Sequence, residues 1–519
     1  MTASRAEIAS TGDDGSGSVR IEWLGWDGRE LQWRVHAARG TPTALCLDGV
    51  PFAPFAGSGD GVHVHASAFE YSPTGNDELE FSIAAPAAAH PIGNSWRVHF
   101  GAAAAPAEPQ WTQAARYLAP LAGTPRLPLR AWSDLPAIAI VVPIHNAPRS
   151  VERCLAALER WTPRSARLIL IDDASTDPEI GALLEPFAQR ANTRVVRSAH
   201  NRGYTHNVNA GMQLAGDADV VLLNSDTEVG PRWLQSLRLA AYGEDNIGTT
   251  TAVSDNAGAF SVPDLEKYCP IPEKWSPPTA QRAVLQQAGL RFPELPTGNG
   301  FCMFVKRELI NRIGTMDAEA FPAGYGEEND FCQRAVLAGY RNIIAGHVLV
   351  RHERSASFGD ARRAALGVQG MAVLRERYPN YESDVGATLY SFARRVLDYR
   401  VRRTYGGGDG RYALHAPRPR LLVTAAEDAG HAADAGYEVY VLHEQPQLQL
   451  QHFDDGSPAA VMPDGAAPAS ASQTVRGWLI SHAVEATYAS VPTALSARVE
   501  ELAADVGIPA LADLIAATG

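Results

Sequence analysis

Between Ala137 and Asp226 short apolar runs rich in Val, Ile and Leu alternate with helix-length amphipathic stretches. A continuous run of this kind belongs to a strand buried on both faces, and strands spaced by helices close right-handed βαβ units into a parallel sheet. The pattern predicts strands at 137–144, 167–172, 194–197 and 220–224, and helices at 150–161, 178–191 and 204–214. Ligands of such sheets bind outside the carboxyl ends of the strands. The residues at those ends are therefore the first candidates for chemistry.

Four strand ends are polar. IAIVVPIHN ends in Pro143, Ile144, His145 and Asn146, a turn able to hold a base or ribose by hydrogen bonds. LILIDDASTD puts Asp172 and Asp173 at a tip, where carboxylates suit a uracil or thymine imide N–H and ribose hydroxyls. Asp177 fits a helix cap equally well. In HNRGYTHNVNAGM, Arg202 and the Gly203 turn permit close approach of a nucleotide, and Asn207 lies in the first turn of the following helix. DVVLLNSDTEV runs into Asn224, Ser225 and Asp226. Mg²⁺ and Mn²⁺ are commonly held by one or two carboxylates plus substrate phosphates, and Asp226 meets that need best.

In order and spacing these pieces resemble the inverting family 2 glycosyltransferases of the GT-A fold. The likeness runs over about half the chain, through PTGNGFCMFVKRELINRIG, GYGEENDFCQRAVLAGYR and VRHERSASFG. It implies that Pro143, His145, Asp173, Arg202, Gly203 and Asn207 line a nucleotide pocket, joined by Asn146, Asn224 and Ser225. It further implies Asp226 and His352 as metal ligands, Gly298, Asn299 and Gly300 as acceptor loop, Glu327 or Glu328 as base, and Asp330 as helper. Asn224 replaces the first Asp of the family's Asp-x-Asp, which leaves the metal leaning on Asp226. The helix dipole alone also favours three acidic residues in a first turn.

The remaining chain divides by composition. Residues 1–17 are Ser-, Gly- and Asp-rich and read as a disordered tail. Residues 18–105 carry short alternating runs such as VRIEWLGW and LQWRVHA, which predict a small β-sandwich. Trp23, Trp26, Trp33 and Tyr71 there are core candidates before they are a sugar platform. A Pro- and Ala-rich linker follows at 106–135, then the GT-A domain at 136–385. Residues 386–410 read as a basic amphipathic helix and linker. Residues 411–519 read as a C-terminal partial Rossmann-like α/β module without a phosphate loop. The fold class is thus α/β, a nucleotide-binding mixed sheet flanked by helices between two smaller modules.

A net charge of −13 repels nucleic acid. Five scattered cysteines at no zinc or paired spacing suit reduced thiols of a cytoplasmic protein, and no apolar run suits a signal peptide or membrane span. Arg394 to Arg403 suggest peripheral contact with the inner face of the cell membrane. The expected activity is metal-dependent (Mn²⁺ or Mg²⁺), non-processive transfer of a hexosyl or deoxyhexosyl group. The donor is a UDP- or dTDP-sugar rather than a GDP-sugar, the acceptor a glycan or lipid-linked hydroxyl, and the context bacterial surface polysaccharide or glycoconjugate assembly. The competing reading is an inactive glycan-binding scaffold that keeps the fold.

Overall fold

A computed structural model describes residues 131–519 except 266–267, 291, 323, 354–359, 445–446, 463–467, 515–519 and most of 390–415, where Arg394, Leu397, Asp398, Val401, Thr404 and Tyr405 are described. For helical residues 360–365, 387 and 468–470, and for eight strands within 1–130, only the backbone is described. The chain forms two compact units, residues 1–122 with 386–400, and residues 123–385 with 401–519.

In the first unit β1 (Glu7–Ile8), β8 (Trp96–Phe100), β7 (Asp77–Ala84), β4 (Pro42–Leu47) and β5 (Val50–Ala56) form one antiparallel sheet in that order. β2 (Val19–Trp26), β3 (Leu31–Ala37) and β6 (Val62–His65) form a second. Within the stretch expected to be a tail, Glu7 and Ile8 pair with His99 and Val98. The tryptophan side chains and most of the expected linker lie outside the described residues. Arg394, within the expected basic helix, is buried and paired with Asp398 at 3.0 Å.

The second unit is built on a mixed sheet of eight strands, flanked by helices, in the order β11-β10-β9-β12-β15-β14-β16-β13. These are β9 (Ile138–Ile144), β10 (Arg167–Asp172), β11 (Thr193–Arg197), β12 (Asp219–Leu223), β13 (Thr227–Glu228), β14 (Ile247–Ser254), β15 (Cys302–Val305) and β16 (Arg341–His352). β11, β10, β9 and β12 run parallel, while β15 is antiparallel to both of its neighbours. The reversal puts the ends of β9, β10 and β12 beside the start of β15, where the polar tips gather.

The strands are apolar because helices cover both faces. Helix Tyr204–Leu214 lays Val208 and Met212 on Val141 of β9 and Val220 of β12, with Phe331 and Ala335 of helix Glu327–Leu337 completing the cluster. Gly211 is the contact point: a Cβ there would come within 2.2 Å of Val141 Cγ1. Gly211→Ala gains up to about 1 kcal/mol of helix propensity. Overpacking costs about 1–3 kcal/mol, so net destabilisation is the expected outcome. A urea midpoint at or above that of the unsubstituted protein would show that the helix can lift off the strand.

A second sheet, β20-β19-β18-β17-β21-β22, belongs to the same unit. Its strands are β17 (Arg420–Val423), β18 (Glu438–His443), β19 (Gln449–His452), β20 (Pro458–Val461), β21 (Ala486–Tyr488) and β22 (Ala510–Leu511). β18, β17, β21 and β22 are parallel, as in a partial Rossmann-like module. It shares a core with the first sheet: Leu239 of helix Trp233–Ala241 and Leu290 pack against Leu479, Val499 and Leu502. Buried Arg232, at φ 54°, donates to the carbonyl of Val484 at 2.7 Å. Arg282 grips Glu485 through two bonds of 2.7 and 3.1 Å. Among the described residues no helix is long and apolar enough to cross a membrane.

Candidate active site

At the end of β9 the chain turns through two consecutive left-handed residues, Asn146 and Ala147 (both φ 57°). Such a turn persists only when held. The Asn146 backbone N–H donates to Ser175 Oγ (2.9 Å), and its Oδ1 accepts from the N–H groups of Thr176 (2.9 Å) and Asp177 (3.1 Å). Asn146, expected on the nucleotide, instead clamps the β9 tip to the loop after β10. His145 donates from Nδ1 to the carbonyl of Asp173 at 3.0 Å, since a carbonyl only accepts.

Asp173 governs the next turn. Its Oδ1 accepts from Arg202 N–H (2.8 Å) and its Oδ2 from Gly203 N–H (3.0 Å). Each oxygen keeps a second lone pair for a ligand. Arg202 therefore contributes its backbone here, while its side chain is exposed. Gly203, at φ 85°, turns the chain into helix Tyr204–Leu214. Asn207 in that helix is 1% exposed. Its Nδ2 donates to Gly203 O (2.8 Å), which fixes the amide's orientation, and its Oδ1 has no partner. A buried acceptor left open costs about 1–3 kcal/mol, so it marks a place where a ligand donor belongs. Asp177, by contrast, caps the helix Pro178–Ala188 by accepting from Glu179 N–H.

At the end of β12 the carbonyl of Asn224 accepts from both N–H and Oγ1 of Thr227, a tight turn that presents Ser225 and Asp226 to the same cleft. Asp226 Oδ1 lies 3.2 Å from His352 Nε2. His352 Nδ1 meets the carbonyl of Asn256 at 2.9 Å, which turns Nε2 toward the Asp226 carboxylate. An imidazole nitrogen and a carboxylate oxygen set side by side are a ligand pair suited to a divalent cation.

The residues present fit a divalent ion in other respects too. Among the described residues no group of three or more His, Cys, Asp or Glu converges as a closed cage. Mg²⁺ and Mn²⁺ sites in nucleotide enzymes need no cage, because waters and phosphates complete them. Four carboxylates, Asp173, Asp226, Glu327 and Glu328, line the cleft. Those that are ionised would repel a diphosphate without a cation to offset them.

Across the cleft Gly326 (φ 146°) starts helix Glu327–Leu337. Glu327 is 2% exposed and accepts from Gly326 N–H at 2.9 Å. Glu328 Oε1 accepts from Gly300 N–H at 3.1 Å. Burial and then the neighbouring Glu328 charge push Glu327 well above the usual glutamate range. Burial also raises Glu328, opposed by a hydrogen bond from Glu327 and by the Gly300 N–H. The pair therefore titrates as a unit above the usual glutamate range, with Glu328 the member that takes the Gly300 N–H.

Asp330 is not part of this pair. It is fully buried and accepts from Arg334 Nε (2.8 Å), Arg377 Nη1 (2.8 Å) and Tyr378 OH (2.9 Å), a hub that ties the helix to Asp360–Arg377. Gly298, expected in the acceptor loop, packs where a Cβ would meet Met303 Sδ at 2.5 Å. Asn299 lines the cleft, and Gly300 acts through its N–H.

A cleft of about 470 Å³ thus gathers Pro143, His145, Asp173, Gly203, Asn207, Asn224, Ser225, Asp226, Asn299, Glu327, Glu328 and His352. It also contains Asn201, Tyr204, Tyr325, Asn329, Met371 and Leu374, which sequence reasoning did not select. Tyr204 and Asn201 flank the Arg202–Gly203 turn and were within reach of the motif. Met371 and Leu374 carried no local signal, since only tertiary packing brings their helix over the cleft.

Residues 139–314 match the family described as glycosyl transferase family 2. The chain is 26% identical over 247 residues to the N-acetylglucosaminyl-diphospho-decaprenol L-rhamnosyltransferase of Mycobacterium tuberculosis, covering 43% of this chain and 78% of that protein. It is 31% identical over 324 residues to polypeptide N-acetylgalactosaminyltransferase 16 of Mus musculus, covering 57% of this chain and 56% of that one. Among solved structures it is similar to the mannosyltransferase PcManGT from Pyrobaculum calidifontis in complex with GDP-Man and Mn²⁺, at 20% identity and a TM-score of 0.37, covering 63% of this chain and 87% of that one. Residues 139–314 thus carry a glycosyl transferase family 2 match, and the curated relatives the chain is similar to are glycosyltransferases.

Proposed function

We propose that the protein transfers a single sugar per encounter, with inversion, from a nucleotide-diphosphate sugar to a hydroxyl of a glycan or lipid-linked acceptor in bacterial surface-glycan assembly. The observation that carries this reading is the confrontation, across one cleft, of the Asp226–His352 pair with the Glu327–Glu328 pair. Asp173, Asn207 and the Gly203 turn bind the nucleotide, with UDP or dTDP favoured by the acceptors they present. Asp226 and His352 would hold Mn²⁺ or Mg²⁺, which when bound would supply Lewis-acid stabilisation of the departing diphosphate. Glu328 takes the proton of the attacking hydroxyl, while Glu327 steadies it by hydrogen bonding. Gly300 fixes the direction of the Glu328 carboxylate.

Thermal shift tests the reading. Nucleoside diphosphates and their sugars are titrated with and without Mn²⁺ against the unsubstituted protein and Asp226→Ala. A cognate ligand at 100 times its dissociation constant stabilises the fold by about 2.7 kcal/mol. The expected pattern is stabilisation that requires both the metal and Asp226. Binding that survives Asp226→Ala in EDTA would remove the metal from the scheme, and no binding at all would leave an inactive scaffold.

A further inference from the structure

One side chain in the cleft has no role in the scheme so far. Tyr204 opens its helix directly after Gly203, and its ring packs, partly buried, on the core under the site. Its hydroxyl reaches the far wall. A Cβ built on Gly300 would lie 2.2 Å from Tyr204 OH and 2.7 Å from Glu328 Oε1, so phenol and base converge on one point of the backbone. The residue at 300 must lack a side chain for both to be there.

The hydroxyl has no hydrogen-bond partner among the described residues, although Glu328 Oε1 nearby takes the Gly300 N–H. Burial, followed by the charges of Glu328, Glu327 and Asp226, holds its ionisation well above the usual tyrosine range. It is therefore a neutral O–H within the field of both the base and the metal-side carboxylate. In an inverting displacement the anomeric carbon lies between the activated acceptor oxygen and the leaving diphosphate. A donor that converges with the base on Gly300 stands at the reacting end of the cleft, where the sugar ring lies.

We propose that Tyr204 positions and selects the transferring sugar, its hydroxyl donating a hydrogen bond to one ring hydroxyl of the donor. This rests on the glycosyltransfer reading. A neutral donor suits a neutral sugar in a cleft already lined by four carboxylates. The phenol thereby adds discrimination without adding charge.

The test uses the full chain with Mn²⁺ and compares binding of UDP, dTDP and GDP with that of their sugar conjugates, in the unsubstituted protein and in Tyr204→Phe. The expected result is unchanged affinity for the cognate nucleoside diphosphate, with about a 10-fold loss for its sugar conjugate and a matching loss in kcat/KM. Equal affinity and turnover in Tyr204→Phe would overturn the proposal. So would an equal loss for the bare diphosphate, the mark of a purely structural residue. A second measurement needs no variant: among donors lacking one sugar hydroxyl at a time, one loses about 10-fold in affinity for the unsubstituted protein. If every such analogue binds like the parent, Tyr204 makes no such bond. If the unsubstituted protein binds no nucleotide at all, the glycosyltransfer reading fails first and this inference with it.

Discussion

Glu328→Gln lowers the rate of sugar transfer by about 10²–10⁴-fold while leaving nucleotide-sugar affinity unchanged, the signature of a lost general base. The amide keeps an oxygen for the Gly300 N–H but cannot take a proton. Unfolding does not account for the loss, because of how the two glutamates titrate. Burial raises both, so the folded protein holds protons that the unfolded chain has released. The resulting stability is present below the unfolded glutamate value and is lost as pH rises through the folded values. At neutral pH the pair costs stability, and the Glu328→Gln substitution removes part of that cost. Chemical denaturation should place Glu328→Gln at or above the unsubstituted protein. The same shift sets the acid limb of the rate profile above the ordinary glutamate range, because Glu328 works only when ionised. Single-turnover rates against pH read both effects; a variant within threefold of the unsubstituted rate would move the base elsewhere.

Glu485→Ala is expected to cost about 3–5 kcal/mol of stability, the second large effect. The Arg282 side chain is 3% exposed and that of Glu485 is 12%, so removing the carboxylate strands a guanidinium between two sheets. A surface pair would contribute less than about 1 kcal/mol. Desolvation also offsets most of the attraction within the intact pair, so Arg282→Met with Glu485→Met should recover most of the loss. Urea midpoints with unchanged slope measure both variants. A single variant costing less than about 1 kcal/mol would mean that water reaches the pair. Because the sheets share Leu239, Leu290, Leu479 and Val499, the loss is expected in one transition, not in the C-terminal sheet alone.

The central sheet was legible in the sequence because its strands are buried on both faces and its helices are amphipathic. The expected strand at 194–197 begins at Thr193, and the expected helix at 178–191 ends at Ala188. Asp226 and His352, far apart in the chain, meet at 3.2 Å, a proximity that only the resemblance suggested and no local spacing could. What local pattern could not give was the direction of each side chain. Glu327, Glu328 and Asp330 are alike in sequence, yet Asp330 turns toward Arg334 and Arg377 and becomes part of the scaffold. Asn146 looked like a ligand group because Asn is polar, but a left-handed turn needed its amide first. Arg394 looked solvated because its neighbours are arginines, and its burial depends on tertiary contacts that no window of sequence contains.

Helix Trp233–Ala241 serves two masters. Leu234 and Leu237 are buried, while Leu239 and the preceding Arg232 reach into the C-terminal sheet. A substitution acceptable to one side of this helix must also be acceptable to the other, so drift there is filtered twice. The C-terminal segment is therefore expected to travel through evolution with the catalytic body as one heritable piece, and grafting it onto an unrelated transferase would bring along carbonyls with no arginine to meet them.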